Sequence, residues 1–224
     1  MSILSKVLVA HLICMYTGIA AGGDMIELPI PAAGKGITVE KALSRRHSVR
    51  DYNPSPLTGA ELSRLLWSCQ GLTGSYSKRT APSAGALYPL EVFVVVERVE
   101  RVPAGIYHYH PAPDSVQQPL EVVSKGNFIK RLAEAALGQE CIYDCAAALV
   151  VTGIVSRTAA KYGDRARRYV LIEVGHAAQN VCLEVESLGL GCVTVGAFND
   201  KQVQSLLATE AEPFYIIPIG HPRQ

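Results

Sequence analysis

The sequence lacks an excess of charge of either sign. Its 224 residues include 21 Lys and Arg against 20 Asp and Glu, a formal net charge of +1. A chain without a sustained charge excess lacks the long-range field that gathers nucleic acid or an anionic membrane surface. We therefore predict no nucleic-acid partner and favour a small-molecule or peptide substrate.

Closely spaced cysteine pairs of the metal-binding kind are also missing. The six cysteines occupy positions 14, 69, 141, 145, 182 and 192, and none forms a Cys-x-x-Cys motif. Cys141 and Cys145 are spaced to meet on one helical turn, whereas Cys182 and Cys192 lie in apolar segments that favour buried thiols. Cysteine count alone does not fix any disulfide pairing.

A hydrophobic run long enough to span a membrane comfortably is lacking as well. The segment MSILSK is followed by the short apolar run VLVAHLICMYTGIA, which ends in small residues at Ala20 and Ala21. This is the layout of a cleaved secretory signal, so we predict a signal peptide over residues 1–24 and no stable membrane insertion. The alternative is an untranslated upstream segment and a true start at Met25. The first case implies an exported, periplasmic protein and the second a cytoplasmic one.

What the sequence does contain is enough apolar material, 49% of residues, for one sizeable core. We predict an extended lead-in over residues 25–36 and a single domain over residues 37–224. Thr38 is a candidate N-cap of a first helix over residues 37–44. Thr58 and Glu61 form a capping-box pattern for a second helix that ends at Gly71.

Strands and one long helix follow without strict alternation, which predicts the α+β class. The long helix is expected over Asp164–Leu188, with two apolar stripes that predict burial on two sides. A long polar loop over residues 71–85 leads into the first core strand, and such loops often carry functional sites. The predicted strands cover residues 91–97, 105–110, 120–123, 147–153, 192–196 and 214–220.

Three arginines, a histidine and a serine crowd the segment SRRHSVRDY (Ser44–Tyr52). Guanidinium groups and a hydroxyl supply the donors that a phosphate monoester requires, although a solvated basic loop has the same composition. Four further segments follow it in order: APSAGALYPLEVFVV (Ala81–Val95), KYGDRARRYVLIEVGHAAQN (Lys161–Asn180), LGLGCVTVGAFND (Leu188–Asp200) and IIPIGHP (Ile216–Pro222). Together the five motifs resemble the nitroreductase superfamily, in its SagB/ThcOx-type branch of azoline oxidases.

The resemblance covers about residues 36–222 and implies a mixed central sheet flanked by helices, with flavin mononucleotide (FMN) at a homodimer interface. It implies that Arg46, His47, Ser48 and Arg50 hold the FMN phosphate and ribityl chain. The isoalloxazine ring would lie against Pro82, Ser83, Ala84, Gly85 and Ala86 and against Val195, Gly196 and Ala197. The basic C-terminal arm common in the family is expected to be missing, with Arg223, Lys78 and Arg79 as candidate substitutes.

The same resemblance implies a catalytic dyad, Lys161 and Tyr162, that handles the proton released when hydride passes to FMN. The alternative is a loop lysine and a packing tyrosine at the start of a helix. Ala86 and Tyr88 stand where better-known nitroreductases commonly have Asn and Gln, which disfavours nitro or quinone reduction with NAD(P)H as donor. That activity and a flavin-binding module without turnover remain the competing hypotheses.

Histidines outside these motifs are weaker candidates. His108 and His110 alternate along one predicted strand as metal ligands can, but the sequence offers no evident third ligand, so no metal site is predicted. His176 lies within the long helix and is predicted to be a core or interface residue. The glycines of GLGCVTVG lack the strand-loop-helix context of a dinucleotide-binding loop.

Overall fold

A computed structural model describes residues 23–31, 36–74 and 78–223 of the protein. In chain order its strands are β1 (Met25–Leu28), β2 (Leu72–Thr73), β3 (Lys78–Arg79), β4 (Leu90–Val96), β5 (Gly105–Tyr109), β6 (Gln118–Lys125), β7 (Ala147–Gly153), β8 (Gly191–Cys192) and β9 (Glu212–Gly220). The helices are α1 (Val39–Arg45), α2 (Gly59–Gln70), α3 (Ile129–Ala135), α4 (Glu140–Tyr143), α5 (Val155–Tyr162), α6 (Ala166–Leu188) and α7 (Asp200–Leu207).

Seven of these strands form one sheet in the order β1-β6-β5-β4-β7-β9-β8, while β2 and β3 pair in a separate small hairpin. The α+β class is confirmed, but the expectation of a mixed sheet is wrong for the described strands. Each neighbouring pair in the sheet is antiparallel. Hairpin connections from β4 to β5 and from β5 to β6 explain part of this, because a short turn joins only antiparallel neighbours.

The sheet is covered on both faces, so the protein has three layers. One face packs against α2 and α6 through side chains that include Leu62, Val94 and Val174. The other face packs against α3, α4 and α7 through a second cluster that includes Phe93, Ile142 and Val203. The β-branched run of β4 is buried on both sides for this reason.

The long helix is buried along the first predicted stripe, in which Val170, Val174 and Val181 are nearly inaccessible to solvent. The second stripe is only partly buried. Its Leu171 is 46% exposed, and the neighbouring Ile172 is 50% exposed. α6 is therefore buried on one broad side, and the expectation of burial on two sides is wrong for the single chain.

Local signals located the first two helices well. The Thr38 side chain accepts from the Lys41 N–H at the start of α1. Both hydrogen bonds of the capping box are present in α2, between Thr58 and Glu61, and Gly71 is its C-cap. The predicted strand over residues 192–196 is shorter, because only β8 and an isolated bridge at Val195 pair with β9.

The start of the predicted lead-in is part of the sheet, since β1 pairs with β6. The signal-peptide prediction over residues 1–24 falls almost wholly outside the described residues. Within the described part of the chain, no helix combines the length and apolar character needed to cross a membrane. The five described cysteines are free and buried, as expected for Cys182 and Cys192, whose sulfurs lie 3.8 Å apart.

Candidate functional site

The arginine-rich segment forms an exposed loop that begins at the C-terminus of α1, where Arg46 is the C-cap. Two contacts fix the loop to the sheet. The Val49 N–H donates to the Cys192 carbonyl of β8 at 2.9 Å, and the buried Tyr52 hydroxyl donates to the Pro218 carbonyl of β9 at 3.1 Å. A Cβ on Gly191 would lie 2.7 Å from Val49, so this close approach requires glycine.

The loop faces α6 across a small cavity of 160 Å³. Three of the four predicted phosphate ligands line it, namely Arg46, His47 and Ser48. The opposite wall contains small residues of α6, Gly175 and Ala178, which leave room beside the donors. The remaining lining residues are Gln179, Cys182, Cys192, Val193, Thr194 and Tyr215.

Arg50, the fourth predicted ligand, does not line this cavity. Its charge acts instead on Cys141, where burial raises the thiol pKa and Arg50 opposes that rise. Arg50 also lowers the pKa of Tyr52 slightly against a large rise caused by burial. The loop therefore presents Arg46 and Arg50 to different surroundings, a difference that the spacing of the arginines could not indicate.

Residues 82–86 form a tight turn with an unusual backbone. Gly85 has φ +64°, and two non-glycine residues that follow, Ala86 and Tyr88, have φ +53° and +46°. Left-handed conformations of non-glycine residues cost free energy and cluster at functional sites. The Ser83 side chain stabilises the turn by accepting from the Tyr88 N–H at 2.9 Å. Pro82, Gly85 and Ala86 are exposed, and Ala84 is half-buried.

The predicted dyad lies directly against this turn. Lys161 and Tyr162 are the last two residues of α5, so the alternative of a loop lysine and a tyrosine at a helix start is wrong about their secondary structure. A Cβ on Gly85 would lie 2.8 Å from the Tyr162 hydroxyl and 3.1 Å from Lys161 Nζ. The Tyr162 ring also packs edge-on against Tyr169 at 4.9 Å. Both polar groups therefore approach the same backbone position, in the turn that the sequence assigned to the flavin ring.

The segment Val195–Ala197 follows β8 at the sheet edge. Val195 is buried and exchanges two backbone hydrogen bonds with Ile216, at 2.8 and 3.0 Å. Gly196 and Ala197 are exposed, and the Ala197 carbonyl accepts from Gln139 at 3.0 Å. Because Val195 is paired with β9, the exposed part of this segment begins at Gly196.

Glu173 is a residue of this region that the sequence interpretation missed. It is 2% exposed and lies beneath the turn, where it interacts with Ser83, Gln70 and the charge of Arg79. Burial raises its pKa to about 7, and those three interactions oppose the rise. One signal was present in the sequence, because Glu173 falls on the apolar stripe of α6 between Val170 and Ala177, where an acidic residue is unexpected.

The raised pKa of Glu173 gives a testable dependence of stability on pH. The folded protein holds the proton up to about pH 7, whereas the unfolded chain releases it near 4.5. The free energy of unfolding should therefore fall as pH rises from about 4.5 to 7, by roughly 1–3 kcal/mol. Urea denaturation of wild type and Glu173→Gln across this range isolates the effect, because other titrations cancel in the difference. A difference that is independent of pH would contradict the assignment.

Two of the residues proposed to substitute for the family's basic C-terminal arm, Arg79 and Arg223, already form contacts within the chain. Arg79 donates to the Gln70 carbonyl at 2.9 Å and lies over the Tyr88 ring, 5.2 Å from its centroid. Arg223 donates to the Tyr52 carbonyl and pairs with Asp51 at 3.3 Å. Lys78 is exposed on β3. His176, predicted as a core or interface residue, is exposed on α6 in the single chain.

Both candidate regions lie along α6. The turn contacts it at Glu173, and the basic loop faces it between Gly175 and Cys182. A helix rises about 1.5 Å per residue, so the two regions are separated by on the order of 10 Å along its axis. The site therefore has an exposed backbone turn with a Lys-Tyr pair at one end and a basic cavity at the other.

Known proteins similar to this chain identify its family. The chain is 42% identical over 198 residues to a Methanocaldococcus jannaschii protein named as a nitroreductase, covering 88% of this chain and 98% of that protein. A solved structure from Anabaena variabilis, described as a nitroreductase, superposes with a TM-score of 0.78 at 31% identity. The match covers 90% of this chain and 42% of that one.

A third similarity is to a chain of the Escherichia coli microcin synthetase McbBCD complex with truncated pro-MccB17 bound. The TM-score is 0.70 at 26% identity, and the match covers 86% of this chain and 76% of that chain. The model of the nitroreductase family itself matches residues 43–221, which include the basic loop, the turn, the Lys-Tyr pair and the segment after β8. The chain belongs to the nitroreductase family and is an oxidoreductase.

Proposed function

We propose that the protein is an FMN-dependent dehydrogenase that oxidises azoline rings in a peptide substrate. The observation that carries the proposal is the contact of Lys161 and Tyr162 with Gly85. This contact brings two proton-handling groups to the exposed turn on which the flavin ring is expected to lie.

The residues present fit FMN at both ends. The 160 Å³ cavity is too small for a whole cofactor, since ligand pockets usually exceed about 300 Å³. It suits a phosphate, because Arg46 supplies a charged fork and Ser48 a hydroxyl. At the other end, Gly85 and Gly196 present backbone without side chains, and this allows a flat ring to approach closely.

Exposed apolar side chains support the expected homodimer. Val39 and Leu43 on α1 are 63% and 55% exposed, and Leu171 and Ile172 on α6 are similarly accessible. The two helices are in contact with each other. Large exposed apolar side chains on packed helices are typical of surfaces that bind another protein. A second copy of the chain would cover them and bury the second stripe of α6.

In the proposed reaction the azoline loses one hydride and one proton, and a new carbon–carbon double bond completes the aromatic azole. FMN, when bound, supplies a two-electron acceptor for the hydride. The neutral form of the Lys161 amine accepts the proton from the ring carbon next to the one that loses hydride. Tyr162 orients the amine and donates a hydrogen bond to the substrate, which holds the reacting carbon over the turn.

Similarity to a chain of the peptide-bound microcin synthetase complex supports a peptide substrate, as does the SagB/ThcOx-type motif order. An NAD(P)H-dependent nitro or quinone reductase is the second candidate, favoured by the similarity to proteins named as nitroreductases. A flavin-binding module without turnover is the third. Anaerobic mixing of the FMN-loaded protein with NADPH distinguishes the module from the reductase, since the module would leave the flavin oxidised.

Arg46→Ala tests the cofactor assignment. Loss of a charged hydrogen bond to phosphate should weaken FMN binding roughly 10- to 100-fold, because such bonds contribute about 1.5–3 kcal/mol. Quenching of FMN fluorescence during titration of apoprotein measures the affinity. The matched control is Arg45→Ala, which removes an exposed arginine one residue away that does not line the cavity. Equal affinities for Arg46→Ala and wild type would overturn the phosphate assignment.

A further inference from the structure

Two histidines and a glutamate converge on the face of the sheet opposite α6. His108 and Glu121 are register partners on β5 and β6, and His110 follows at the end of β5. His110 Nε2 lies 2.8 Å from Glu121 Oε2, and His108 Nδ1 lies 3.9 Å from the same oxygen. One ligand atom from each residue lies within 4.8 Å of the others. The structure thus provides the third ligand that the sequence interpretation did not find.

A fourth residue fixes the orientation of His108. Its Nε2 lies 2.9 Å from Glu91 Oε2, on β4. A carboxylate only accepts hydrogen bonds, so Nε2 carries a hydrogen, and Nδ1 is the ring nitrogen that faces Glu121. A ring nitrogen that donates to a carboxylate while the other faces outward is the arrangement usual for metal-binding histidines.

Glu91 is in turn held in place by an ion pair with Arg157 of α5. Arg157 Nη2 lies 2.5 Å from Glu91 Oε1. The Phe93 ring stacks on His108 at 4.6 Å and restricts its rotation further. His108 is therefore oriented before any ligand binds.

The cluster is also accessible. The side chains of His108, Glu121 and His110 are 20%, 38% and 44% exposed. An ion can reach the three ligand atoms from solvent, and water can complete its coordination. In the described parts of the chain, this is the single group of three such side chains close enough to share an ion.

We propose that His108, His110 and Glu121 bind one divalent transition-metal ion of the zinc class, with Glu91 as a positioning residue. Two imidazole nitrogens with one carboxylate oxygen favour Zn²⁺ over Mg²⁺ or Ca²⁺, which prefer all-oxygen sites. Ligand atoms about 2.0–2.2 Å from a tetrahedral ion lie roughly 3.4 Å apart. Side-chain movements of about half an ångström bring the 2.8 and 3.9 Å separations to that spacing, and the ligand atoms of the two histidines lie within 4.8 Å of each other.

The ion would cross-link β5 to β6, and the Glu91–Arg157 pair connects it to α5, which carries Lys161. Its role is structural in this location, because the three ligands lie on the face of the sheet remote from α6. The proposal does not depend on FMN, and a failure of flavin binding would leave it intact.

Calorimetric titration of the chelator-treated full chain with Zn²⁺ tests the site. We expect one ion per chain in wild type and at least a 10-fold loss of affinity in His110→Ala and in Glu121→Gln. Glu91→Gln should weaken binding 10- to 100-fold, as removal of an orienting partner usually does. His176→Ala is the matched control, because it removes an exposed histidine outside the cluster and should bind as wild type does.

Thermal unfolding separates loss of the ion from loss of the fold. Without metal, the variants should melt within a few degrees of wild type, since His110 and Glu121 are both substantially exposed. With excess Zn²⁺, the melting temperature should rise in wild type and in His176→Ala only. Substitution with Co²⁺ should give a visible d–d absorption band in the same two proteins. Absence of stoichiometric binding in wild type, or unchanged affinity in His110→Ala and Glu121→Gln, would overturn the proposal and leave a hydrogen-bonded cluster.

Discussion

Lys161→Ala is expected to slow oxidation of a thiazoline-containing peptide by about 10²- to 10⁴-fold, the usual contribution of a general acid or base. Tyr162→Phe should act in the same direction with a smaller effect, because it removes the hydroxyl but keeps the ring that packs on Tyr169. The physical reason is that the substrate must release a proton as well as a hydride. A flavin that takes its hydride from NADPH has no such requirement, so that reaction should change less than about 10-fold.

Anaerobic stopped-flow measurement of flavin reduction, with the peptide or with NADPH as donor, distinguishes these outcomes. Lys201→Ala and Tyr143→Phe are matched controls, since both change exposed residues on other helices and should leave both rates unchanged. Equal loss with both donors would show that the pair serves the flavin rather than the azoline. No loss with either donor would remove Lys161 and Tyr162 from the mechanism.

Gly85→Ala is the second substitution with a large expected effect. The new methyl group would lie 2.8 Å from the Tyr162 hydroxyl and 3.1 Å from Lys161 Nζ, so the dyad must move. Displacement of catalytic groups by about 1 Å can reduce a rate 10²-fold, and we expect a loss of that order in peptide oxidation.

Backbone strain must be separated from this collision, because Gly85 has a positive φ at which alanine costs about 1–2 kcal/mol. Gly138→Ala provides the control. Gly138 also has a positive φ, +74°, but a Cβ added there would meet nothing within 4 Å. Both variants should lose similar stability in thermal unfolding, and only Gly85→Ala should lose activity. Similar activity in the two variants would contradict a role for the contact at Gly85.

Features that depend on a few neighbouring residues were predictable from the sequence. The capping box of α2 is an example, because its two hydrogen bonds join residues three apart. The short helices α3 and α5 were not predicted, because they lack such local signals. Neither has a side-chain cap at its N-terminus, so their stability comes from packing between segments distant in the chain.

The candidate site was predictable in its residues but not in its geometry. Family motifs named Arg46, Gly85 and Lys161, yet no local signal shows that the Lys161 amine lies beside Gly85. Such contacts depend on how α5 packs after β7, which is a property of the whole fold. The separation of Arg50 from the cavity depends likewise on the path of a loop fixed by β8.

Because both candidate regions lie on α6, this helix sets the distance between them. A ligand that spans them is measured against a rigid element of 23 residues, packed into the core, whose length does not vary with loop conformation. The loops supply the chemical groups, while the helix fixes the distance between them. The helix would therefore select a cofactor by the distance from its ring to its phosphate, and the loops would select it by its chemical groups. Loop residues can change without altering the distance that the helix sets.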